Sequence, residues 1–218
     1  MFISVEGIEG SGKGTVIQKI EKWLHSNGSY FVSTREPGGS RIGKQIRSIL
    51  LNTNSKMSSR AEMFLYLADR AEHVETVVKE ALDQGLIVLC DRYADTNIVY
   101  QGYARGLDVD EIFQLNNIAT SGLWPDLTIL LDAPPTVGLK RAIKRNEELG
   151  MMEKEGRFEA ESLSFHTKAR DGYLHWAKVN PQRFVIVNAD QSPENVWSDV
   201  KSILEEKLFQ EQKKRPLC

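Results

Sequence analysis

The chain has 218 residues, of which 41% are hydrophobic and 27% are charged, a composition typical of a folded globular protein and unlike a disordered or fibrous one. Its net charge of -2 at pH 7 gives no overall attraction to nucleic acid or to a membrane surface, so we expect neither partner. Cys90 and Cys218 form no disulfide framework, and no run of about eighteen apolar residues occurs, so we expect a cytoplasmic protein.

Short apolar segments alternate with longer amphipathic segments along the chain. The predicted strands are residues 2–6, 30–34, 86–91, 127–132 and 184–188. Most of them are apolar without alternation, as in strands buried on both faces. After the first strand, Ile17, Ile20 and Leu24 share one face of a predicted helix that ends at Gly28. The pattern predicts an α/β fold in which helices cover both faces of a five-stranded parallel sheet.

Polar segments directly follow three of the predicted strands. They start at Gly7, Arg35 and Asp91. In an open parallel sheet, ligands bind outside the carboxyl ends of the strands. We therefore expect these three segments to form one site at one edge of the sheet.

The first of these segments, "GIEGSGKGT", matches the phosphate-binding pattern G-x-x-x-x-G-K-[ST] at every position except Gly14. It follows a strand and opens a helix, which is the context of a functional phosphate loop and not of a chance glycine turn. In such a loop the backbone N–H groups, the lysine and the helix N-terminus hold the phosphates of a nucleotide. The predicted nucleotide-binding residues are Gly7, Ile8, Glu9, Gly10, Ser11, Gly12, Lys13, Gly14 and Thr15.

Gly14 removes the hydroxyl that usually binds magnesium in this loop. Mg²⁺ keeps several waters and binds mainly through substrate phosphates and one or two carboxylates, so the loss of one protein ligand is tolerable. Asp91, at the end of an apolar strand, and Glu9, inside the loop, are the two candidate ligands, either directly or through water.

Six motifs in this order carry a resemblance to a known family: "GIEGSGKGT", "TREPGGSRIGKQIRSILL", "FLYLADRAEHV", "DRYADTNIVYQGYARGL", "PDLTILLDAPPTVGLKRA" and "EGRFEAE". The chain resembles the thymidylate kinases from its first strand to its last helix. The resemblance implies a three-layer P-loop NTPase fold with a small lid, and a homodimer. It also implies that ATP and Mg²⁺ are used to phosphorylate dTMP to dTDP, a step in dTTP biosynthesis.

The resemblance implies roles around the acceptor phosphate and sugar. Arg92 would clamp the acceptor phosphate, because a guanidinium fork matches a phosphate in direction as well as position; the alternative is a plain ion pair with the preceding aspartate or another carboxylate. Arg35 and Glu36 would lie beside that phosphate, unless Arg35 supports the loop from behind. Tyr100 would crowd the sugar where a ribonucleotide carries its extra hydroxyl. Glu9 is also a candidate partner of the 3′-hydroxyl.

The resemblance also implies a site for the base. Tyr66 and Arg70 are four residues apart on one helical face, with Tyr66 stacking on thymine and Arg70 donating to a base carbonyl. Thr96 and Asn97 would contact the base edge. The alternative for Tyr66 is an ordinary core position, which is the commoner use of an aromatic at helical spacing.

A lid over about residues 142–160 would bring further cations to the transferred phosphate. Arg141 would stack on adenine, while Arg145 and Arg157 would act at the transition state. The alternative is a solvated segment of mixed charge. Gly156 stands where many family members carry an aspartate, and the lid is slightly long. The implied catalytic residues are Lys13, Arg92, Arg145 and Arg157.

The expected organisation is a single kinase domain over residues 1–210 and a flexible tail over 211–218, with residues 188–191 bordering the adenine. Two other functions stay open. A kinase for another nucleoside monophosphate or a deoxynucleoside would share the loop and lid. A non-catalytic P-loop switch would need neither an acceptor pocket nor lid arginines, although the sequence indicates both. A GTPase is not supported, because no N-K-x-D motif occurs.

Overall fold

A computed structural model describes residues 1–214 of the chain. Its five strands are β1 Phe2–Glu6, β2 Phe31–Arg35, β3 Ile87–Asp91, β4 Leu127–Asp132 and β5 Phe184–Asn188. Its first helices are α1 Lys13–Ser26, α2 Arg41–Leu51, α3 Ser59–His73, α4 Lys79–Asp83 and α5 Ala94–Asn97. The later helices are α6 Val109–Thr120, α7 Pro135–Glu148, α8 Met152–Glu155, α9 Leu163–Val179 and α10 Pro193–Lys214. Two π-helical segments, Val74–Val78 and Ile98–Ala104, continue α3 and α5.

The strands form one parallel sheet in the order β2-β3-β1-β4-β5. The α/β prediction and all five predicted strands are confirmed, with β2 and β3 each starting one residue later than expected. Asp91 is in register with Val5 on one side and with Arg35 on the other. The carboxyl ends of β1, β2 and β3 therefore lie next to one another, as the sequence predicts.

Helices cover both faces of the sheet. On one face, α1 and α10 pack against β1 and β4 through a buried cluster that includes Ile20 and Leu24. On the other face, α3, α9 and the π-helical segment Ile98–Ala104 form a second cluster. Because successive strand residues point to opposite faces, Ile129 joins the first cluster and Leu130 joins the second. The result is the expected three-layer arrangement.

The predicted boundary between the domain and the tail, at residues 210 and 211, falls within α10, which includes residues 211–214. Residues 215–218 of the predicted tail lie outside the described part of the chain. The predicted lid, 142–160, covers the second half of α7, the short helix α8 and the turn that leads toward α9. Within residues 1–214, no helix combines the length and apolar character needed to cross a membrane.

Candidate active site

A cavity of about 400 Å³ opens at the carboxyl ends of β1, β2 and β3. The phosphate loop, the two neighbouring strand ends, α3, α5 and the lid all contribute to its wall. The predicted residues that line it are Glu9, Gly10, Lys13, Arg35, Glu36, Tyr66, Asp91, Arg92, Thr96, Tyr100 and Arg145. The structure thus brings most of the predicted acceptor-side residues, together with part of the phosphate loop, to one cavity.

The phosphate loop connects β1 directly to α1. Gly7, Gly10 and Gly12 have φ values of 141°, 67° and 99°, a region that side chains with a Cβ rarely occupy. Lys13 Nζ donates to the carbonyl oxygens of Gly7 and Ile8, both at 2.9 Å. Burial and the nearby Arg92 lower the pKa of Lys13 to about 8, against the opposite effect of neighbouring carboxylates. The loop therefore keeps its lysine folded back over its own carbonyls, beside the cavity.

A second, smaller cavity of about 220 Å³ lies on the outer side of the phosphate loop. Arg141 lines it together with Thr15, Ala189 and Gln191. Arg141 Nη1 also lies 3.5 Å from the Ala189 carbonyl oxygen. The family resemblance implies that the adenine of a bound nucleotide lies between Arg141 and the segment after β5, and this assignment stays a prediction.

Arg92 pairs with Glu9 and not with Asp91. Arg92 has a φ of 60°, which is unusual for a residue with a side chain and turns the chain sharply after β3. Its Nη2 donates to Glu9 Oε1 at 2.8 Å, and its Nη1 donates to the hydroxyl of Tyr173 at 3.3 Å. Asp91 Oδ1 is buried and has no hydrogen-bond partner among the described residues.

Besides Arg92, Tyr100 and His166 also contact the Glu9 carboxylate. The hydroxyl of Tyr100 lies 2.7 Å from Oε2 and 2.9 Å from Oε1. His166 Nδ1 lies 3.2 Å from Oε2. Burial alone would raise the pKa of Glu9, but Arg92, His166 and Lys13 together hold it well below its ordinary value. Glu9 is therefore an ionised carboxylate with both oxygens engaged.

Arg70 and Asn97 lie behind the cavity wall. Arg70 is 1% exposed, and its guanidinium binds the Glu36 carboxylate at 2.7 and 2.8 Å. Its Nη1 donates to Asn97 Oδ1 at 2.7 Å and to Asn116 Oδ1 at 2.6 Å. His73 Nδ1 lies 2.7 Å from the other oxygen of Glu36. Tyr66 and Thr96, by contrast, line the cavity. Of the four residues predicted to contact the base, two therefore lie in the cavity wall, and Arg70 and Asn97 form a hydrogen-bonded network behind it.

The lid places its two predicted catalytic arginines differently. Arg145 lines the cavity, where its Nη2 lies 3.2 Å from Glu159 Oε1. Arg157 binds the Leu50 carbonyl and the Glu62 carboxylate and stacks on Phe158. It lines a separate cavity of about 380 Å³. The structure therefore brings Arg145, and not Arg157, to the site of the other predicted catalytic residues.

Several residues at the site were not predicted from the sequence. Arg47 lines the cavity, binds Glu155 of α8 at 2.9 Å and donates to the Pro37 carbonyl at 3.0 Å, so it ties the lid to the turn after β2. Phe158 lies between Tyr66 and Tyr100 in the cavity wall. Arg47 and Phe158 lie inside two of the motifs that carry the family resemblance, "TREPGGSRIGKQIRSILL" and "EGRFEAE". Their membership of these motifs is the sequence signal by which they could have been predicted.

Glu6 is a further buried carboxyl beneath the site. It accepts hydrogen bonds from the Tyr93 N–H at 2.6 Å, the Thr96 hydroxyl at 2.6 Å and the Tyr173 hydroxyl at 2.8 Å. Burial and the nearby Asp95 raise its pKa to about 7, against the opposite effect of these hydrogen bonds and of Arg92. Glu6 thus fixes Thr96 and Tyr173 behind Arg92.

The side chains at this site are better suited to bind phosphates than to bind a metal ion through protein ligands alone. Among the described residues, no group of three or more His, Cys, Asp or Glu side chains forms a metal-binding cluster. Lys13, Arg92 and Arg145 instead contribute positive charge to the cavity wall from three different elements. The fold and this site define a P-loop enzyme that transfers phosphoryl groups.

Comparisons with known proteins identify the family. Residues 5–200 match the family model described as thymidylate kinase, and this chain belongs to the thymidylate kinase family. A thymidylate kinase of Nitratidesulfovibrio vulgaris (strain DP4) is 57% identical over 94% of this chain and 92% of its own length. One from Maridesulfovibrio salexigens is 54% identical over 95% and 96%. The crystal structure of thymidylate kinase from Ehrlichia chaffeensis matches 94% of this chain and 98% of its own, with a TM-score of 0.73 and 31% identity.

The raised pKa of Glu6 predicts a pH-dependent stability. A carboxyl whose pKa rises on folding contributes stability that is complete below its unfolded pKa and is lost as the pH rises through about 7. Between pH 5 and pH 8, Glu6→Gln should therefore lose less stability than the wild type, by about 2 kcal/mol. Urea unfolding of both proteins at the two pH values measures this. Parallel losses of unfolding free energy in the two proteins would contradict it.

Proposed function

We propose that this protein transfers the terminal phosphoryl group of ATP to dTMP, giving ADP and dTDP for dTTP biosynthesis. The observation that carries the proposal is the single cavity onto which Lys13 of the phosphate loop, Arg92 and Tyr66 all open. Phosphoryl transfer requires mainly alignment and positive charge around the moving group. The phosphate loop would bind one nucleotide, and Arg92 with the ring of Tyr66 would bind the other. Because these residues line one cavity, they supply both the alignment and the positive charge.

The acceptor nucleotide would lie along the wall from Tyr66 to Arg92. Tyr66 offers its ring to the base, and the Arg70 network behind it holds that wall rigid, with Arg70 supporting the base site through Asn97. Thr96 lines the cavity at the same level. Arg92 would clamp the acceptor phosphate, with Arg35 and Glu36 at the adjoining strand end. These placements support the acceptor roles, and the direct contact of Arg70 with a base carbonyl stays a prediction.

Asp91 fits magnesium better than Glu9 does. Asp91 Oδ1 is buried without a hydrogen-bond partner among the described residues, and a carboxylate oxygen in that state suits a cation. Glu9 has both oxygens occupied by Arg92, Tyr100 and His166. We therefore propose Asp91 as the magnesium ligand. A cation at Glu9 would lie beside the charge of Arg92, but the Glu9 carboxylate, with three donors on about four lone-pair sites, can still accept from a neutral hydroxyl, so we propose it as the partner of the acceptor 3′-hydroxyl. A magnesium ion would neutralise charge on the donor phosphates.

Positive charge for the transition state would come from Lys13, Arg92 and Arg145. All three line the cavity from different elements: α1, the end of β3 and α7. Arg157 would join them only after leaving Glu62 and the Leu50 carbonyl, which it contacts in this structure. A mobile lid over residues 142–160 would permit that movement.

We also propose a cytoplasmic homodimer. Large apolar side chains are exposed on three neighbouring helices: Ile49 on α2, Phe64 on α3 and Ile118 on α6. Helix α3 packs against both α2 and α6. An apolar surface of this kind is commonly covered by another protein, and a second copy of the chain is the partner that the family resemblance implies.

An acceptor screen tests the proposed reaction. With ATP and magnesium, dTMP should give equimolar ADP and dTDP, measured by chromatography. The preference for dTMP over dUMP should be about tenfold, because one methyl group in an apolar pocket contributes only about 1 to 3 kcal/mol. Absence of dTDP, or a preference for dUMP, would contradict the proposed acceptor.

Two glycine variants test the phosphate loop. A Cβ at Gly14 would meet no atom of the described residues within 4 Å, so Gly14→Ser should fold normally and, by adding a hydroxyl ligand, lower the magnesium concentration needed for half-maximal activity. A Cβ at Gly10 would lie 1.9 Å from the Gly138 carbonyl oxygen at a φ of 67°, so Gly10→Ala should displace the loop and lower kcat/KM on the order of 100-fold.

Thermal melting and magnesium titration of both glycine variants provide the measurement. A clear loss of Tm in Gly14→Ser, or wild-type kcat/KM in Gly10→Ala, would contradict the proposed geometry of the loop. The two variants lie four residues apart in the same loop, so each serves as the control of the other.

The roles of the lid arginines can be separated by three variants. We expect Arg145→Ala and Arg157→Ala each to lower kcat on the order of 100-fold with a modest change in the KM of ATP, because such arginines act chiefly at the transition state. Glu62→Gln leaves Arg157 free to move, so its kcat should stay within about threefold of the wild type.

Steady-state kinetics of the three lid variants decide between catalysis and support. A change under threefold in Arg157→Ala would remove Arg157 from the catalytic residues. Equal losses in Arg157→Ala and Glu62→Gln would instead make their ion pair a structural support of the lid.

A further inference from the structure

We propose that His166 is a positioning residue that holds the Glu9 carboxylate in the direction of the acceptor sugar, and thereby sets the preference for a substrate with a 3′-hydroxyl. The inference rests on the proposed function, in which Glu9 binds that hydroxyl. His166 itself does not line the main cavity, so it would act through Glu9 and not by touching the nucleotide.

The contact is direct and buried. His166 is 1% exposed, and its Nδ1 lies 3.2 Å from Glu9 Oε2. Tyr100 donates to the same carboxylate from another element, the π-helical segment Ile98–Ala104. A phosphate-loop side chain has several rotatable bonds, and buried hydrogen bonds from different elements restrict it to one orientation.

The hydrogen of this contact must come from the histidine. Arg92, His166 and Lys13 hold the pKa of Glu9 well below its ordinary value despite its burial, so the carboxylate is ionised and can only accept. His166 Nε2 is buried and has no hydrogen-bond partner among the described residues. A hydrogen on Nε2 would be a buried donor without an acceptor, which favours the tautomer with the hydrogen on Nδ1.

Helix α9 carries a second contact of the same kind. Tyr173, two turns after His166 on that helix, donates to Glu6 at 2.8 Å and accepts from Arg92 Nη1 at 3.3 Å. One face of α9 thus supports both members of the Glu9–Arg92 pair. Because the predicted lid ends immediately before α9, this helix connects the lid segment to the acceptor side of the cavity.

The test compares two amide variants at one position. In His166→Asn the side-chain amide nitrogen takes roughly the place of Nδ1 and keeps a donor for Glu9. In His166→Gln it takes roughly the place of Nε2 and does not. The measured quantity is the ratio of kcat/KM for dTMP to kcat/KM for its 3′-deoxy analogue. His175→Gln makes the same change at an exposed position of the same helix and is the location control.

We expect His166→Gln to lower the ratio on the order of tenfold, the scale of one hydrogen bond to a charged group. His166→Asn should keep most of the wild-type ratio, and His175→Gln all of it. Glu9→Gln should lower the ratio in the same way. The double variant Glu9→Gln/His166→Gln should show little further loss, because two residues that act through one contact are not additive.

A loss of stability alone would change both substrates equally and leave the ratio untouched, so the ratio separates positioning from folding. Equal ratios for His166→Asn and His166→Gln, or independent losses that multiply in the double variant, would overturn the inference while leaving the proposed reaction intact. A wild-type protein that forms no dTDP would instead overturn the proposed function, and the inference with it.

Discussion

The ion pair between Glu9 and Arg92 is the interaction on which the site depends. Burying a lone charge costs several kcal/mol, so charged groups inside a protein are found paired and hydrogen-bonded. Here the end of β1 and the end of β3 lie side by side, and each is followed by a charged side chain that points inward. Arg92 Nη2 and Glu9 Oε1 meet at 2.8 Å, which joins the phosphate loop to the segment that follows β3.

This pairing also distributes roles among the remaining carboxylates. Glu6 lies deeper and accepts hydroxyl and amide donors, and burial and Asp95 raise its pKa against the opposite effect of Arg92. Asp91 keeps one buried oxygen without a partner among the described residues. Three carboxylates within one strand-end region thus differ in their partners, because only Glu9 is directly paired with Arg92.

The fold could be predicted from the sequence much further than the site could. Continuous apolar runs identify buried parallel strands, and the glycine pattern after β1 identifies the phosphate loop, because both signals are local. The orientation of the Arg70 side chain depends on a residue distant in the sequence. Helical spacing places Arg70 beside Tyr66, but its guanidinium binds the buried carboxylate of Glu36, 34 residues away in the chain, and therefore lies behind the cavity wall. His166 was missed for the same reason, since nothing near it in sequence signals a contact with Glu9.

Gly156 occupies a turn in which a residue with a side chain does not fit. Helix α8 ends at Glu155, and the Gly156 N–H donates to the Met152 carbonyl at 3.0 Å. A Cβ at residue 156 would lie 2.3 Å from that same oxygen, which real side chains do not tolerate. The turn that follows directs Arg157 to Glu62, whose carboxylate stays ionised despite burial because Gln101, Arg157 and Arg105 lower its pKa. In this structure Arg157 therefore lies beside Glu62 and Phe158, in a cavity separate from the one lined by Arg145.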